Sequence, residues 1–183
     1  MNVFDWDKTI YDGDCSVDFY KYCLKHHKQV SKLWPSQAKA ALMYKTGKIT
    51  KTEMKTIFYR YFTLVPDIHA VVVNFWKEHE HKIKAWYLEM QREDDLIISA
   101  SPEFLLDPIC KQLGVAMIAS VVDPYTGNNL RENCFGSEKV LRMKELYDIN
   151  EMEQFYSDSY SDDPLAQFAK DAFYVVGNDI KPW

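Results

Sequence analysis

Met1-Asn2-Val3-Phe4-Asp5-Trp6-Asp7-Lys8-Thr9 opens the chain, and the assignment of everything after it follows from this stretch. A short apolar run stops at an acid, as a buried strand does on reaching the rim of a sheet. In extended backbone, side chains two apart project to the same side, so Asp5 and Asp7 share a pocket while Trp6 points elsewhere. Two carboxylates that close repel each other unless a cation or a shared proton relieves them.

The pattern recurs downstream. Leu96-Ile97-Ile98 stops at Ser99, Met117 to Val122 is a further strand, and Phe155-Tyr156-Ser157 runs into Asp158, with Asp162 soon after. Phe173 to Val176 is the last strand, closed by Gly177-Asn178. Helical stretches lie between them: Pro102 to Leu113 with Gly114 in the terminating position, Ser137 to Tyr147, and Pro164 to Lys170. Strand and helix in alternation predict an α/β fold, a Rossmann-like parallel sheet with covering helices.

Residues 15–92 break that rhythm with Lys- and aromatic-rich segments and no clear strand. Patterns over Val17–His27, Trp34–Tyr44, Thr52–Phe62 and Ile68–Gln91 predict a small helical bundle inserted after the first strand. The expected organisation is a catalytic core of residues 1–14 and 93–183 with a helical cap of residues 15–92. Asp123-Pro124-Tyr125-Thr126-Gly127 is a turn signal, the expected tip of a hairpin from Val121 to Cys134.

Composition sets the outer bounds. The 183 residues suffice for one sizeable core, and 47% apolar with 27% charged residues is the balance of a soluble globular chain. The longest apolar runs fall far below the roughly 18 to 20 residues that a membrane span needs, so no membrane association is expected. Asp5 and Asp7 interrupt any leader-like stretch, which makes a cytoplasmic address the expectation. Cys15, Cys23, Cys110 and Cys134 are scattered without the pairing of a zinc or redox motif, and free thiols are expected. His79 and His81 sit two apart, facing different sides of a helix, a poor arrangement for sharing a metal.

Charge is unevenly spread over the net −5: residues 17–95 hold 14 Lys and Arg against 9 Asp and Glu, and the remainder 8 against 18. A basic middle over an acidic floor helps draw in an anionic substrate, although solvated Lys-rich helix faces give the same count. No nucleic-acid motif accompanies the basic segment, so no nucleic-acid partner is expected. The oligomeric state is left open.

Ligands of open α/β sheets bind beyond the carboxyl ends of the strands, where Asp5, Asp7, Ser99, Asp158 and Asp162 all fall. An all-oxygen carboxylate cluster suits Mg²⁺, which keeps several waters and binds substrate phosphate as well. Phosphoryl transfer asks mainly for positioning and charge compensation. Ser99 offers a hydroxyl, the helix after Pro102 offers free amides, and Lys139, in Gly136-Ser137-Glu138-Lys139, offers a fixed positive charge.

Taken in order along the chain, these pieces resemble the four motifs of the haloacid dehalogenase superfamily. Asp5-Trp6-Asp7-Lys8-Thr9 is similar to the first, Asp-x-Asp-x-Thr after an apolar strand. Ser99 in Ile97-Ile98-Ser99-Ala100-Ser101-Pro102 is similar to the second, Lys139 to the third, and Asp158-Ser159-Tyr160-Ser161-Asp162 to the fourth. The insertion after the first motif matches the branch with a helical cap there, which includes phosphoserine phosphatase. Two departures stand out: the fourth motif lacks the Gly-Asp-Gly form common in that branch, and Ser-Ala-Ser replaces glycines near the phosphate.

The resemblance implies a Mg²⁺-dependent phosphatase acting on a small phosphorylated metabolite. Asp5 is then the nucleophile and Asp7 the acid and base. The metal is held by Asp5, the Asp7 carbonyl, Asp158 and Asp162, and the phosphate by Ser99, Ala100, Lys139 and Thr9, with Thr9 also bracing the loop. Asp14 stands where phosphoserine phosphatases place a glutamate for the substrate amine, and Arg60 is a candidate for a substrate carboxylate. The same scaffold also supports a phosphotransferase or mutase, or a phosphate-binding module without turnover.

Overall fold

The computed structural model describes all 183 residues. Six strands form one sheet in the order β3-β2-β1-β4-β5-β6: β1 (Asn2–Phe4), β2 (Leu96–Pro102), β3 (Ala116–Ser120), β4 (Gln154–Ser157), β5 (Asp171–Val176) and β6 (Asp179–Pro182). All neighbours are parallel except the β5–β6 pair, so the fold is α/β with a parallel-dominant sheet. Successive connections run outward in opposite directions from β1, which opens a crevice at the carboxyl ends of β1 and β4.

Side-chain alternation splits the apolar residues between the two faces. Phe4, Ile97 and Tyr156 join one core, while Val3, Leu96, Ile98 and Phe155 join the other. On the second face α7 (Ser137–Leu146) and α8 (Asp163–Ala166) contribute Met143, Leu165 and Ala166. On the first lie α6 (Glu103–Leu113) and the chain between β1 and β2, which is helical: α1 (Cys15–His26), α2 (Trp34–Lys45), α3 (Lys51–Tyr59), α4 (Ile68–His79) and α5 (Ala85–Met90). Its aromatics, among them Phe19, Tyr61, Phe62 and Phe75, continue the Phe4 and Trp6 core without a break. Edge-to-face rings such as Phe19–Phe75, 5.3 Å apart, add about 1 kcal/mol each beyond their buried area.

Local chemistry sets the helix ends. Thr50 and Glu53 close a capping box on α3, and Gly114, at φ 71°, terminates α6 where a left-handed residue is required.

Three expectations need correction. The Ile68–Gln91 pattern is two helices, because the chain turns at Glu80–Lys82 to pair Ile83 with Tyr11. The stretch from Val121 to Cys134 holds only a single bridge, Val122 with Asn129, since the Asp123 carboxylate satisfies the Tyr125 and Thr126 amides and Asn129 bonds to α3 instead. The second strand does not end at Ser99. It bulges, advancing four residues from Ile98 to Pro102 against two on β3, and Ala100 and Ser101 of this bulge line the crevice.

Candidate active site

The crevice holds a cavity of about 500 Å³, with Asp5, Asp7, Asp158 and Asp162 on its floor. Asp5 follows β1 directly and its amide donates to the Tyr156 carbonyl, so backbone pairing with β4 fixes where the side chain starts. Lys139 donates to Asp5 Oδ1 at 2.7 Å and to Asp162 Oδ2 at 2.7 Å. Gly136, at φ 58°, turns the chain into α7 so that Lys139 arrives in its first turn, 2% exposed.

One buried ammonium does not balance this set of carboxylates. Burial pushes Asp5 up to about 7, Asp162 and Asp7 adding to the rise and Lys139 opposing it. Burial also pushes Asp7 up to about 6, with Asp14 contributing. Asp158 is raised by burial too. Burial alone would lower Lys139, but Asp5 and Asp162 outweigh it and hold the ammonium above its usual value.

Asp7 has both oxygens held: the Cys15 amide donates to Oδ1 at 2.6 Å and the Ser101 hydroxyl to Oδ2 at 2.7 Å. The loop between Asp7 and Cys15 is tight, with Lys8 in the left-handed region at φ 62° and its amide on the Gly13 carbonyl. Lys84 ties this loop down by donating to the carbonyls of Lys8 and Gly177.

The remaining expected residues are placed unevenly. Thr9 is fully buried beneath the cavity, donating to Asp5 Oδ2 at 3.1 Å and accepting from the Asp158 amide at 3.0 Å. It therefore braces the Asp5 loop against the end of β4 and does not line the cavity. Ser99 is also fully buried, its hydroxyl accepting from the Ser101 amide at 3.0 Å, and is not part of the lining. Ala100 lines the cavity as expected. Ser101, which the sequence did not single out, lines it as well and is bonded to Asp7; its only signal was its position two residues after Ser99.

Asp14 lines the cavity while its Oδ1 caps α1 by accepting from the Val17 amide. Arg60 is exposed beyond the end of α3 and is not brought to the site, because the chain leaves the helix there for a 3₁₀ turn. Lys51, Lys55, Phe58 and Tyr59 complete the roof, none of them anticipated.

Residues 3–167 match the family model for haloacid dehalogenase-like hydrolases. The chain belongs to the haloacid dehalogenase-like hydrolase family. Among solved structures, a protein of unknown function from Bordetella pertussis Tohama I superimposes with a TM-score of 0.75 at 18% identity, over 94% of this chain and 87% of that one. A phosphoserine phosphohydrolase-like protein from Francisella tularensis gives 0.55 at 12% identity, over 94% and 86%. A probable phosphoserine phosphatase from Vibrio cholerae gives 0.66 at 10% identity, with 93% of this chain covering 55% of that one. These likenesses establish the shared fold. No curated protein matches the sequence.

The haloacid dehalogenase-like fold delivers the acidic floor from β1 and β4 and the counter-charge from α7. In donor chemistry the set suits a hard divalent cation, while no three of its acidic side chains are gathered closely enough to ligate one. It is all oxygen, it carries more negative charge than Lys139 offsets, and Asp162 Oδ1 is buried with no hydrogen-bond partner. No helix is long and apolar enough to cross a membrane.

Proposed function

We propose that this hydrolase is a Mg²⁺-dependent phosphatase of small phosphomonoesters, with Asp5 as nucleophile. The observation that carries the reading is the Asp5–Asp7 pair in one cavity, each acid raised toward neutrality in a distinct environment. Asp5, freed of its proton and oriented by Thr9 and Lys139, attacks phosphorus in line while the ester P–O bond breaks. Asp7, fixed by Cys15 and Ser101, gives its proton to the departing alkoxide. It then takes a proton from the water that attacks the aspartyl-phosphate, which releases inorganic phosphate and restores the Asp5 carboxylate. An acid poised at about 6 suits both transfers.

Asp5, the Asp7 carbonyl and Asp158, with Asp162 behind them, would hold Mg²⁺, which when bound supplies charge compensation to the phosphoryl oxygens. Asp5 stays close to Lys139, and the Ala100–Ser101 segment forms the adjoining wall. Residues 15–92 act in this reading as the cap that shapes the leaving-group end.

The test is phosphate release from a panel of metabolite phosphates with added Mg²⁺, repeated with EDTA and with Asp5→Asn. Turnover that requires the metal and falls at least about a thousandfold in Asp5→Asn supports the proposal. Near-normal turnover by that variant, or indifference to EDTA, removes it.

A further inference from the structure

Two lysines of α3 line the same cavity as the carboxylates. Lys51 and Lys55 lie one helical turn apart, both half-buried, and both line it. Lysines on helices are ordinarily solvated or paired with an acid, as Lys21, Lys82 and Lys111 are here. Neither of these forms an ion pair. Lys55 spends one of its three N–H groups on the Ala100 carbonyl at 2.6 Å, and Lys51 has its Nζ over the Phe135 ring, 3.1 Å from the centroid.

Each ammonium is thus positioned by a neutral group, with donors left over and no carboxylate in ion-pair contact. Burial lowers both, Lys139 adding to the fall of Lys51 and Lys51 to that of Lys55, which stands at about 8, while the acids of the floor oppose the fall. Holding two unpaired, partly desolvated cations one turn apart costs stability, and an anion between them relieves that cost. The lining around them also includes the apolar Val17, Ala41, Met54 and Phe58.

We propose that Lys51 and Lys55 form a second anion subsite, so that the substrate carries a carboxylate or a second phosphate besides the reacting phosphoryl group. This rests on the phosphatase reading for the position of the first anion, and it takes the place in recognition that Arg60, turned out to solvent, does not fill.

Three non-hydrolysable probes test it by calorimetry on the Mg²⁺-loaded protein: phenylphosphonate, para-carboxyphenylphosphonate and para-phenylenediphosphonate. The intact protein is expected to bind at least one of the doubly anionic probes about tenfold or more tightly than phenylphosphonate, and the tighter of the two identifies the second group. Lys51→Gln and Lys55→Gln should each cut that ratio several-fold, the double variant should bring it near one, and Lys51→Arg should preserve it. Because the result is a ratio within each variant, loss of folded protein does not imitate it. Equal binding of all three probes, a ratio untouched by the substitutions, or no binding at all would overturn the subsite. Hydrolysis of phenyl phosphate, measured alongside, separates the two claims. Lysine-dependent preference without hydrolysis keeps the subsite and removes the phosphatase, and hydrolysis without preference does the reverse.

Discussion

At the scale of the residue, the site is governed by one buried cation facing several acids. Removing Lys139 leaves Asp5 and Asp162 buried without their counter-charge, and Lys139→Met is expected to cost about 3 to 5 kcal/mol in chemical denaturation. Asp5 gives the opposite sign. A carboxyl with a folded pKa of about 7 and an unfolded one of about 3.9 holds a proton in the fold that the unfolded chain has lost, so its contribution falls as pH rises between those values. Without metal, Asp5→Asn should therefore gain stability relative to the parent as pH rises from about 5 to about 8, as denaturation at the two ends would show. In the proposed phosphatase Mg²⁺ would compete with the same protons, so its stabilisation of the parent should be larger at about pH 8 than at about pH 6, read as a shift in melting temperature. The first motif was legible because strand, acid and spacing all sit within nine residues. Ser101 and Lys55 were not, since their roles depend on a bulge and on a helix docking across the chain.

At the scale of the element, α3 is held on the body by the segment after β3. Asn129 donates to the Thr56 hydroxyl at 2.7 Å, Thr52 donates to Glu132 at 2.6 Å, and Gly127 lies against the end of the helix. A Cβ on Gly127 would sit 2.3 Å from the Tyr59 carbonyl oxygen, and its φ of 76° disfavours any side chain. Gly127→Ala is expected to lower stability by about 1 to 3 kcal/mol and, by displacing Tyr59 and its neighbours, to change KM more than kcat. The turn at Asp123–Gly127 could be seen in the sequence, but not what it packs against. Most helices were legible from periodicity. β6 was not, because Asp179-Ile180-Lys181-Pro182 is short and exposed and pairs only once Gly177-Asn178 has folded it back on β5.

At the scale of the whole molecule, the helices between β1 and β2 and one face of the sheet share a single core. Phe75, fully buried, touches Phe19 and Trp76, while the Trp76 indole donates to the Leu105 carbonyl on α6. The chain should therefore unfold in one transition, with calorimetric and van't Hoff enthalpies in agreement. Phe75→Ala should lower that transition by about 3 to 5 kcal/mol without splitting it. Larger motions of α3 must then be local excursions, and two neighbouring amides separate them from global opening. The Asn133 amide donates to the Thr52 hydroxyl on α3, whereas that of Cys134 donates to Ser120 at the end of β3. In hydrogen exchange, Asn133 should lose its proton each time α3 lifts, and Cys134 only when the sheet itself opens. The difference between two adjacent residues would thus time the opening of the roof against an internal clock.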